Sequence, residues 1–236
     1  MVPVIIPAYE PGAALTDYCR RLLQTFDPVV VMDDGSGDAY RAVFDEIGQL
    51  PGCIVLHHEQ NRGKGRSLKD AFQYVLDAFP QAAGCVTADS DGQHLCEDVY
   101  ACAQAFEQHP DHLVLGARDF SKADIPPRNL YGNRILKTLY RRLIKMDLQD
   151  TQTGLRVYPR AYMQICVTVK GERFDFENRA LLAADEHHVP ILEHPIETVY
   201  AKREDYVSHY APVRDSLTAY AILFAAFFRR LFTKRK

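Results

Sequence analysis

Short apolar runs alternate with helical patterns along the first half of this chain, and this order constrains the fold more than any other feature. The runs are bounded by Gly, Pro, Asp or Asn and cover residues 2–8, 29–32, 54–56, 85–88 and 113–115. A continuous apolar run is typical of a strand that is covered on both faces of a parallel sheet. Between the runs, Leu68, Phe72 and Val75 have the spacing of one helix face. The alternation therefore predicts an α/β fold with a Rossmann-like, mainly parallel sheet flanked by helices.

Polar segments follow the first four of these runs, at the points where the predicted strands end. They are Tyr9-Glu10, Asp33-Asp34-Gly35-Ser36, Asn61-Arg62-Gly63-Lys64-Gly65 and Asp89-Ser90-Asp91. Parallel strands present their carboxyl ends at one edge of a sheet, where ligands bind in such folds. We therefore expect the four segments to form one site.

The acidic pair Asp89 and Asp91 is the sharpest local signal in the sequence. Two carboxylates at a strand end can hold a hard divalent cation, which keeps several waters and binds substrate phosphates. Such a cation offsets the charge that develops on a leaving nucleoside diphosphate. The same residues also suit an acidic turn that caps the helix expected near Leu95.

Two further segments have both a functional and a structural interpretation. Asp34 can accept hydrogen bonds from a nucleobase or a ribose hydroxyl, and its neighbours also form a good turn. The segment at 63–65, with Lys64 at its centre, can bring N–H groups and a cation to a phosphate, although its spacing is not that of a P-loop. A flexible loop before a helix is the alternative.

His57 and His58 are interpreted as surface or packing residues, because adjacent residues do not face the same way.

The regular alternation fades after Phe120. The pattern beyond it predicts a helix over residues 129–145, a polar turn at 150–154, a helix over 176–186, a strand at 196–200 and a basic, aromatic loop at 202–210. We interpret this half of the chain as the acceptor side of the site.

Composition and charge exclude other classes. A net charge of −3 and a pI near 6.3 give no sign of a nucleic-acid partner that is bound through its phosphates. The six cysteines are scattered without a Cys-x-x-Cys pair, and no basic-then-apolar leader precedes Val2. Both observations predict a protein of the reducing cytoplasm.

The C-terminal segment combines an apolar run with a basic end. Residues 219–228 are uncharged and apolar, and they precede Arg229, Arg230, Lys234, Arg235 and Lys236. Spanning a bilayer takes about 20 apolar residues, so the run is too short to cross one. An apolar helix with a basic end suits an anionic membrane surface. The alternative is a final helix that packs on the core and leaves a solvated tail.

Taken together, residues 6–10, 33–36, 61–65 and 88–94 resemble the family 2 glycosyltransferases. Residues 150–156, 172–177 and 208–216 are similar to the dolichyl- or polyprenyl-phosphate sugar transferase branch of that family. The resemblance implies a GT-A fold, a UDP- or GDP-sugar donor, Mg²⁺ or Mn²⁺, and transfer with inversion onto a lipid-linked phosphate. The sequence contains no Trp, so it lacks the Gln-x-x-Arg-Trp element of processive polysaccharide synthases.

The resemblance also implies roles for individual residues. The nucleotide-sugar would contact Pro7, Ala8, Tyr9, Glu10, Asp34, Lys64, Asp89, Ser90 and Asp91. The metal ligands would be Asp89, Asp91 and Gln93, and the catalytic residues Asp91 and Arg118. The acceptor phosphate calls for cations, which are expected to be Arg118, Arg128, Arg134, Lys202 and Arg203.

A phosphate acceptor also has a physical argument, because a phosphate monoester is already anionic at neutral pH and needs no general base. A glycan or protein hydroxyl stays open as the acceptor, with Asp150 or Glu177 as the base. A sugar-phosphate nucleotidyltransferase and a non-catalytic binding protein are further alternatives. We expect residues 1–216 to form the glycosyltransferase domain. Residues 217–236 are expected to form a helix on the inner face of the cell membrane, where a multi-helix membrane protein could be a partner.

Overall fold

The computed structural model describes residues 2–119, 127–197 and 212–233, with side chains throughout these ranges except at 127–131, 212–215 and 233. The first half alternates strand and helix as β1 (Val4–Ala8), α1 (Ala14–Leu22), β2 (Val29–Asp33), α2 (Arg41–Gly48), β3 (Cys53–His57), α3 (Lys64–Ala78), β4 (Gly84–Thr87), α4 (Cys96–Gln108) and β5 (Leu113–Arg118). The second half contains α5 (Pro127–Leu139), β6 (Arg156–Pro159), α6 (Arg160–Cys166), α7 (Asp175–Glu186), β7 (Ile191–Ile196) and α8 (Pro212–Thr233). A short 3-10 helix, Asp38–Tyr40, precedes α2, and a π-helical segment, Tyr140–Ile144, continues α5.

The described strands form one seven-stranded sheet in the order β3-β2-β1-β4-β6-β5-β7. All neighbouring pairs are parallel except those of β6, which runs antiparallel to both β4 and β5. The chain moves to one side of β1 with β2 and β3 and then crosses to the other side with β4. This reversal opens a crevice at the carboxyl ends of β1 and β4, which is where ligands bind in open α/β sheets. The predicted α/β architecture is confirmed.

Apolar layers cover both faces of the sheet because successive strand residues point to opposite sides. Ile5 and Val30 pack with buried residues of α3, α6, α7 and α8, whereas Val4, Ile6 and Val31 pack with those of α1, α2 and α4. The inner strands β1, β2 and β4 are buried along their whole length. A strand with two buried faces has a continuous apolar sequence, which explains why these strands were predictable.

Two elements of the second half differ from the sequence-based expectation. The last strand was expected at residues 196–200 but runs over Ile191–Ile196, and residues 198–200 lie outside the described residues. The strand β6 was not predicted, because its four residues include a buried Arg156 and a terminal Pro159. The helices expected at 129–145 and 176–186 are present as α5 with its π-helical continuation and as α7.

The helix α8 begins at Pro212, so the predicted division of the chain between residues 216 and 217 lies within it. Its inner face buries Ala219, Ile222, Leu223 and Ala226 in the core cluster. Its outer face exposes Leu217, Phe224, Phe228, Leu231 and Phe232. Among the described residues, no helix has both the length and the apolar character that are needed to cross a membrane.

Candidate functional site

The carboxyl ends of β1 and β2 are tied together by hydrogen bonds. The Asp34 N–H donates to the Ala8 carbonyl over 2.8 Å, and the Glu10 N–H donates to the Ser36 hydroxyl over 2.8 Å. Pro7 and Ala8 are buried, while Tyr9 and Glu10 are partly exposed at the end of β1. A hydrogen bond with Glu10 raises the pKa of Tyr9. The structure thus places the first two predicted nucleoside-binding segments side by side.

Asp34 fixes the loop between β3 and α3. Its buried carboxylate accepts hydrogen bonds from the Arg62 N–H over 2.9 Å and from the Gly63 N–H over 2.7 Å. Gly35 lies against this loop at a φ of +74°, and a Cβ there would come within 2.3 Å of the Gln60 carbonyl carbon. The turn predicted at residues 33–36 is present, because the Ser36 N–H donates to the Asp33 side chain over 2.9 Å. Asp34 therefore joins two loops of the site, whereas the sequence had suggested contact with a nucleobase or a ribose hydroxyl.

The acidic pair lies beyond the end of β4, at the crevice. One Asp89 oxygen accepts a hydrogen bond from the Lys64 ammonium over 2.6 Å, and the other lies 3.4 Å from His94 Nε2. Burial raises the pKa of Asp89, but Lys64 and His94 outweigh burial and hold that pKa below its ordinary range. Burial and then the charge of Asp89 raise the pKa of Asp91, whose carboxylate accepts from the Gln93 N–H over 3.0 Å. The residues of this segment, including Ser90 and Gln93, are partly exposed.

The acidic pair does not act as a helix cap. The helix α4 begins at Cys96 and its N-cap residue is Leu95, which makes no capping hydrogen bond through its side chain. The alternative interpretation of Asp89 and Asp91 is thus wrong for this helix.

Lys64 connects the acidic pair to the second half of the chain. Besides Asp89, its ammonium lies 3.0 Å from a carboxylate oxygen of Glu177 at the start of α7. Burial lowers the pKa of Lys64, but the two carboxylates raise it above its ordinary value. The glycines on either side are fixed by packing: a Cβ at Gly63 would lie 2.4 Å from the Glu172 carbonyl oxygen, and a Cβ at Gly65 would lie 2.5 Å from Phe176 Cβ. These contacts, rather than loop flexibility, account for the two glycines.

The turn at residues 150–154 packs against Asp89 of the acidic pair. A Cβ at Gly154 would lie 2.3 Å from an Asp89 carboxylate oxygen, so any other residue there would displace that side chain. The Thr87 hydroxyl donates to the Gly154 carbonyl over 2.9 Å. The fully buried Arg156 donates to the carbonyls of Thr153 over 2.9 Å and Glu177 over 3.0 Å. The sequence indicated a polar turn here, but its contact with Asp89 was not expected.

Arg118, at the end of β5, forms a two-point ion pair with Asp150. Its Nε lies 2.5 Å from one carboxylate oxygen and its Nη2 lies 3.0 Å from the other. The Asp150 side chain is fully buried and also accepts from the Gln152 N–H over 3.0 Å. Both carboxylates that were considered as general bases, Asp150 and Glu177, are therefore paired with cations.

The other cations that were predicted to bind the acceptor phosphate are only partly covered by the described residues. Arg134 is exposed on α5. Arg128 belongs to the backbone of α5, but its side chain is outside the described residues, as are Lys202 and Arg203 altogether. The structure thus brings the donor-side residues together and pairs Arg118 with Asp150. Of the five predicted phosphate contacts, it describes the side chains of Arg118 and Arg134 alone.

Comparisons with known proteins identify relatives of this chain. The model of glycosyl transferase family 2 matches residues 4–165. A UDP-N-acetylglucosamine–dolichyl-phosphate N-acetylglucosaminyltransferase of Methanococcus voltae is 25% identical over 86% of this chain and 87% of its own length. An undecaprenyl-phosphate 4-deoxy-4-formamido-L-arabinose transferase of Pseudomonas paraeruginosa is 26% identical over 75% of this chain and 52% of its own length.

Solved structures share the fold at low sequence identity. Glucosyl-3-phosphoglycerate synthase from Mycobacterium tuberculosis, crystallised with Mn²⁺, UDP and glucosyl-3-phosphoglycerate, superposes with a TM-score of 0.73. The superposition covers 96% of this chain and 79% of that chain at 15% identity. It confirms the predicted GT-A fold.

Proposed function

Because this chain belongs to glycosyl transferase family 2, we propose that it moves a sugar from a UDP- or GDP-sugar to a polyprenyl phosphate, with inversion and with Mg²⁺ or Mn²⁺. The observation that carries the proposal is the acidic pair Asp89 and Asp91 at the crevice, with Gly154 packed against Asp89. The donor's nucleoside part is assigned to Pro7, Ala8, Tyr9, Glu10 and Asp34, which the structure places along the neighbouring strand ends.

The acidic pair fits a hard divalent cation. In the described part of the chain, no group of three or more His, Cys, Asp or Glu side chains has the geometry of a metal site. Two carboxylates suffice for Mg²⁺ or Mn²⁺ when substrate phosphates and waters complete the coordination. Asp89, Asp91 and Gln93 would hold the ion, and Ser90 lies between them. Bound there, the ion supplies positive charge to the diphosphate of the donor.

A phosphate acceptor suits a site whose candidate general bases are paired with cations. An acceptor phosphate oxygen bonds to the anomeric carbon while the bond from that carbon to the diphosphate oxygen breaks, and the nucleoside diphosphate leaves. No proton has to be removed from an anionic phosphate. Asp150 and Glu177, the carboxylates that could serve a hydroxyl acceptor, are held by Arg118 and Lys64. This pairing supports the phosphate over the hydroxyl.

Relatives support the same acceptor class. The two curated relatives described above act on dolichyl phosphate and undecaprenyl phosphate, as their names state. The structural neighbour binds Mn²⁺ and UDP. By analogy, we assign the acceptor phosphate to Arg118, Arg128, Arg134, Lys202 and Arg203, and catalytic contacts to Asp91 and Arg118. Arg118 can serve as a fixed cation because Asp150 orients it with two contacts.

A lipid-linked acceptor requires contact with a membrane surface, and α8 has a suitable outer face. That face exposes Leu217, Phe224, Phe228, Leu231 and Phe232, and Arg229 is exposed beside it. Arg134 is exposed on α5, Arg141 and Arg142 are exposed on its π-helical continuation, and Lys145 is exposed directly after it. Apolar side chains together with nearby cations favour the surface of an anionic bilayer. We therefore place the protein at the inner face of the cell membrane, where a multi-helix membrane protein could be its partner.

The test is a donor and acceptor screen that measures release of nucleoside diphosphate. We expect release and a lipid-linked product when a polyprenyl phosphate and Mg²⁺ or Mn²⁺ are present, and loss of both with a chelator. Asp91→Asn should lower the rate about 100-fold or more, the scale of losing a group that stabilises transition-state charge. Asp111→Asn, on an exposed carboxylate before β5, is the matched control. Transfer to simple sugars but not to polyprenyl phosphate would instead establish the hydroxyl acceptor, and full activity of Asp91→Asn would refute the metal site.

A further inference from the structure

The imidazole of His58 lies between two carboxylates. Its Nδ1 is 2.8 Å from an Asp34 oxygen and its Nε2 is 3.0 Å from an Asp70 oxygen. Only 6% of the His58 side chain is exposed, whereas its neighbour His57, which contacts Asp33, is 55% exposed. From the sequence, both histidines are expected to be surface or packing residues. The two contacts of His58 show that it belongs to the polar structure beneath the site.

The two carboxylates beside His58 limit the protonation states that satisfy its contacts. An ionised carboxylate only accepts hydrogen bonds, so a nitrogen that faces one must carry a hydrogen. Both His58 nitrogens face carboxylate oxygens, and the ring can donate to both of them only as an imidazolium. The charged groups around it are Asp34 after β2, Asp70 on α3, and Arg62, which lies 3.3 Å from Asp70. One positive ring between two negative groups is a favourable arrangement.

The hydrogen bond from His58 Nδ1 orients a carboxylate that holds the loop before α3. Asp34 uses the same oxygen to accept from the Arg62 N–H and its second oxygen to accept from the Gly63 N–H. The next residue, Lys64, contacts Asp89. A chain of direct contacts therefore connects His58 with the loop that carries Lys64 and, through Lys64, with the acidic pair.

We propose that His58, as an imidazolium, is a positioning residue of the donor site: its Nδ1–H fixes the Asp34 carboxylate, which in turn fixes the backbone at Arg62 and Gly63. The proposal rests on the proposed function for its link to the donor. For donor binding, the hydrogen bond to Asp34 is then the important one. The contact with Asp70 is secondary, because Asp70 is partly exposed and also pairs with Arg62 and Arg66.

Two variants separate the two sides of the ring. The amide nitrogen of His58→Asn can occupy the place of Nδ1 and keep the bond to Asp34, whereas that of His58→Gln can occupy the place of Nε2 and keep the bond to Asp70. We expect His58→Asn to retain a donor KM close to that of the wild type. We expect His58→Gln to raise the donor KM about ten-fold, the scale of one hydrogen bond to a charged group, with a smaller change in kcat. His112→Asn, in an exposed pair with Asp111, is the control.

A second measurement does not depend on turnover. Nitrogen NMR of the histidine side chains at neutral pH should show protons on both nitrogens of His58, identified by the loss of its signals in His58→Asn. Equal donor KM values for the Asn and Gln variants, or a His58 ring with a single proton, would overturn the inference. If the wild-type protein transfers no sugar to any acceptor, the proposed function fails, and the NMR result still decides the protonation and pairing of His58.

Discussion

Replacing Lys64 by Met tests the electrostatics of the acidic site most directly. In the structure the Lys64 ammonium lies 2.6 Å from Asp89 and 3.0 Å from Glu177. The exposed fractions of the three side chains are 16%, 31% and 13%, so the interactions are largely removed from water. Met keeps most of the apolar stem and removes the charge. The variant therefore leaves two partly buried carboxylates without their shared cation.

The expected loss of stability follows from this burial. Removing one partner of a fully buried ion pair costs about 3–5 kcal/mol. The partial exposure of Asp89 lowers that figure, and Lys64 is also the first residue of α3, where the helix dipole disfavours a cation by about 0.3–1 kcal/mol. We expect Lys64→Met to lower the free energy of unfolding by about 2 kcal/mol. For a chain of this size that lowers Tm by roughly 4–8 °C.

The assay is thermal and urea unfolding, followed by circular dichroism, with and without Mn²⁺. Because Asp89 and Asp91 would no longer have Lys64 beside them, we expect Mn²⁺ to raise Tm more in Lys64→Met than in the wild type. The control is Arg20→Met, since Arg20 pairs with exposed carboxylates and such exposed pairs contribute little to stability. If Lys64→Met were as stable as Arg20→Met, or if Mn²⁺ affected it no more than the wild type, the electrostatic account of the site would be refuted.

Three further predictions concern the supporting contacts. Gly154→Ala should push Asp89 aside and lower kcat/KM for sugar transfer about 100-fold, the scale of an ångström-sized misplacement. An unchanged kcat/KM would contradict this. Arg118→Met should lower the free energy of unfolding in urea by about 3–5 kcal/mol, because it leaves the fully buried Asp150 without its cation. An unfolding midpoint like that of the wild type would show that the pair does not stabilise the fold. Phe232→Ser should weaken binding to anionic vesicles about ten-fold, since an exposed Phe would contribute about 1.5–3 kcal/mol when the membrane buries it. Equal binding of the variant and the wild type in vesicle sedimentation would show that α8 does not contact the membrane.

The strands of the first half could be predicted from sequence because their burial is symmetrical. A strand such as β1 is apolar at every position when helices cover both faces of the sheet. β6 violates this pattern, since Arg156 is fully buried there and satisfied by the carbonyl oxygens of Thr153 and Glu177. β7 lies at the edge of the sheet and contains Glu193 and His194, so its sequence has no clear apolar run. Both misses arise from tertiary contacts that local periodicity cannot represent.

For the site, the sequence predicted the location of the polar segments but not their contacts. The polar segments could be located because the ends of parallel strands meet at one edge, which is a property of the fold class. The partners of their side chains could not be predicted. Lys64 meets Glu177 from more than a hundred positions away in the chain, and His58 meets Asp34 through a ring that the sequence suggested to be a surface or packing residue. Spacing indicates which residues reach an edge of the sheet, but not which of them pair there.

The ion pairs at this edge also limit how ligands can bind. Lys64 occupies one oxygen of Asp89, so a divalent cation at the acidic pair has to compete with an ammonium that is 2.6 Å away. Glu177 gives that ammonium a second carboxylate, so Lys64 can keep an ion pair when it releases Asp89. The arriving diphosphate brings negative charge that Lys64 can also meet. Binding of metal and donor together should therefore be more favourable than binding of either alone, because each supplies the charge that the other displaces.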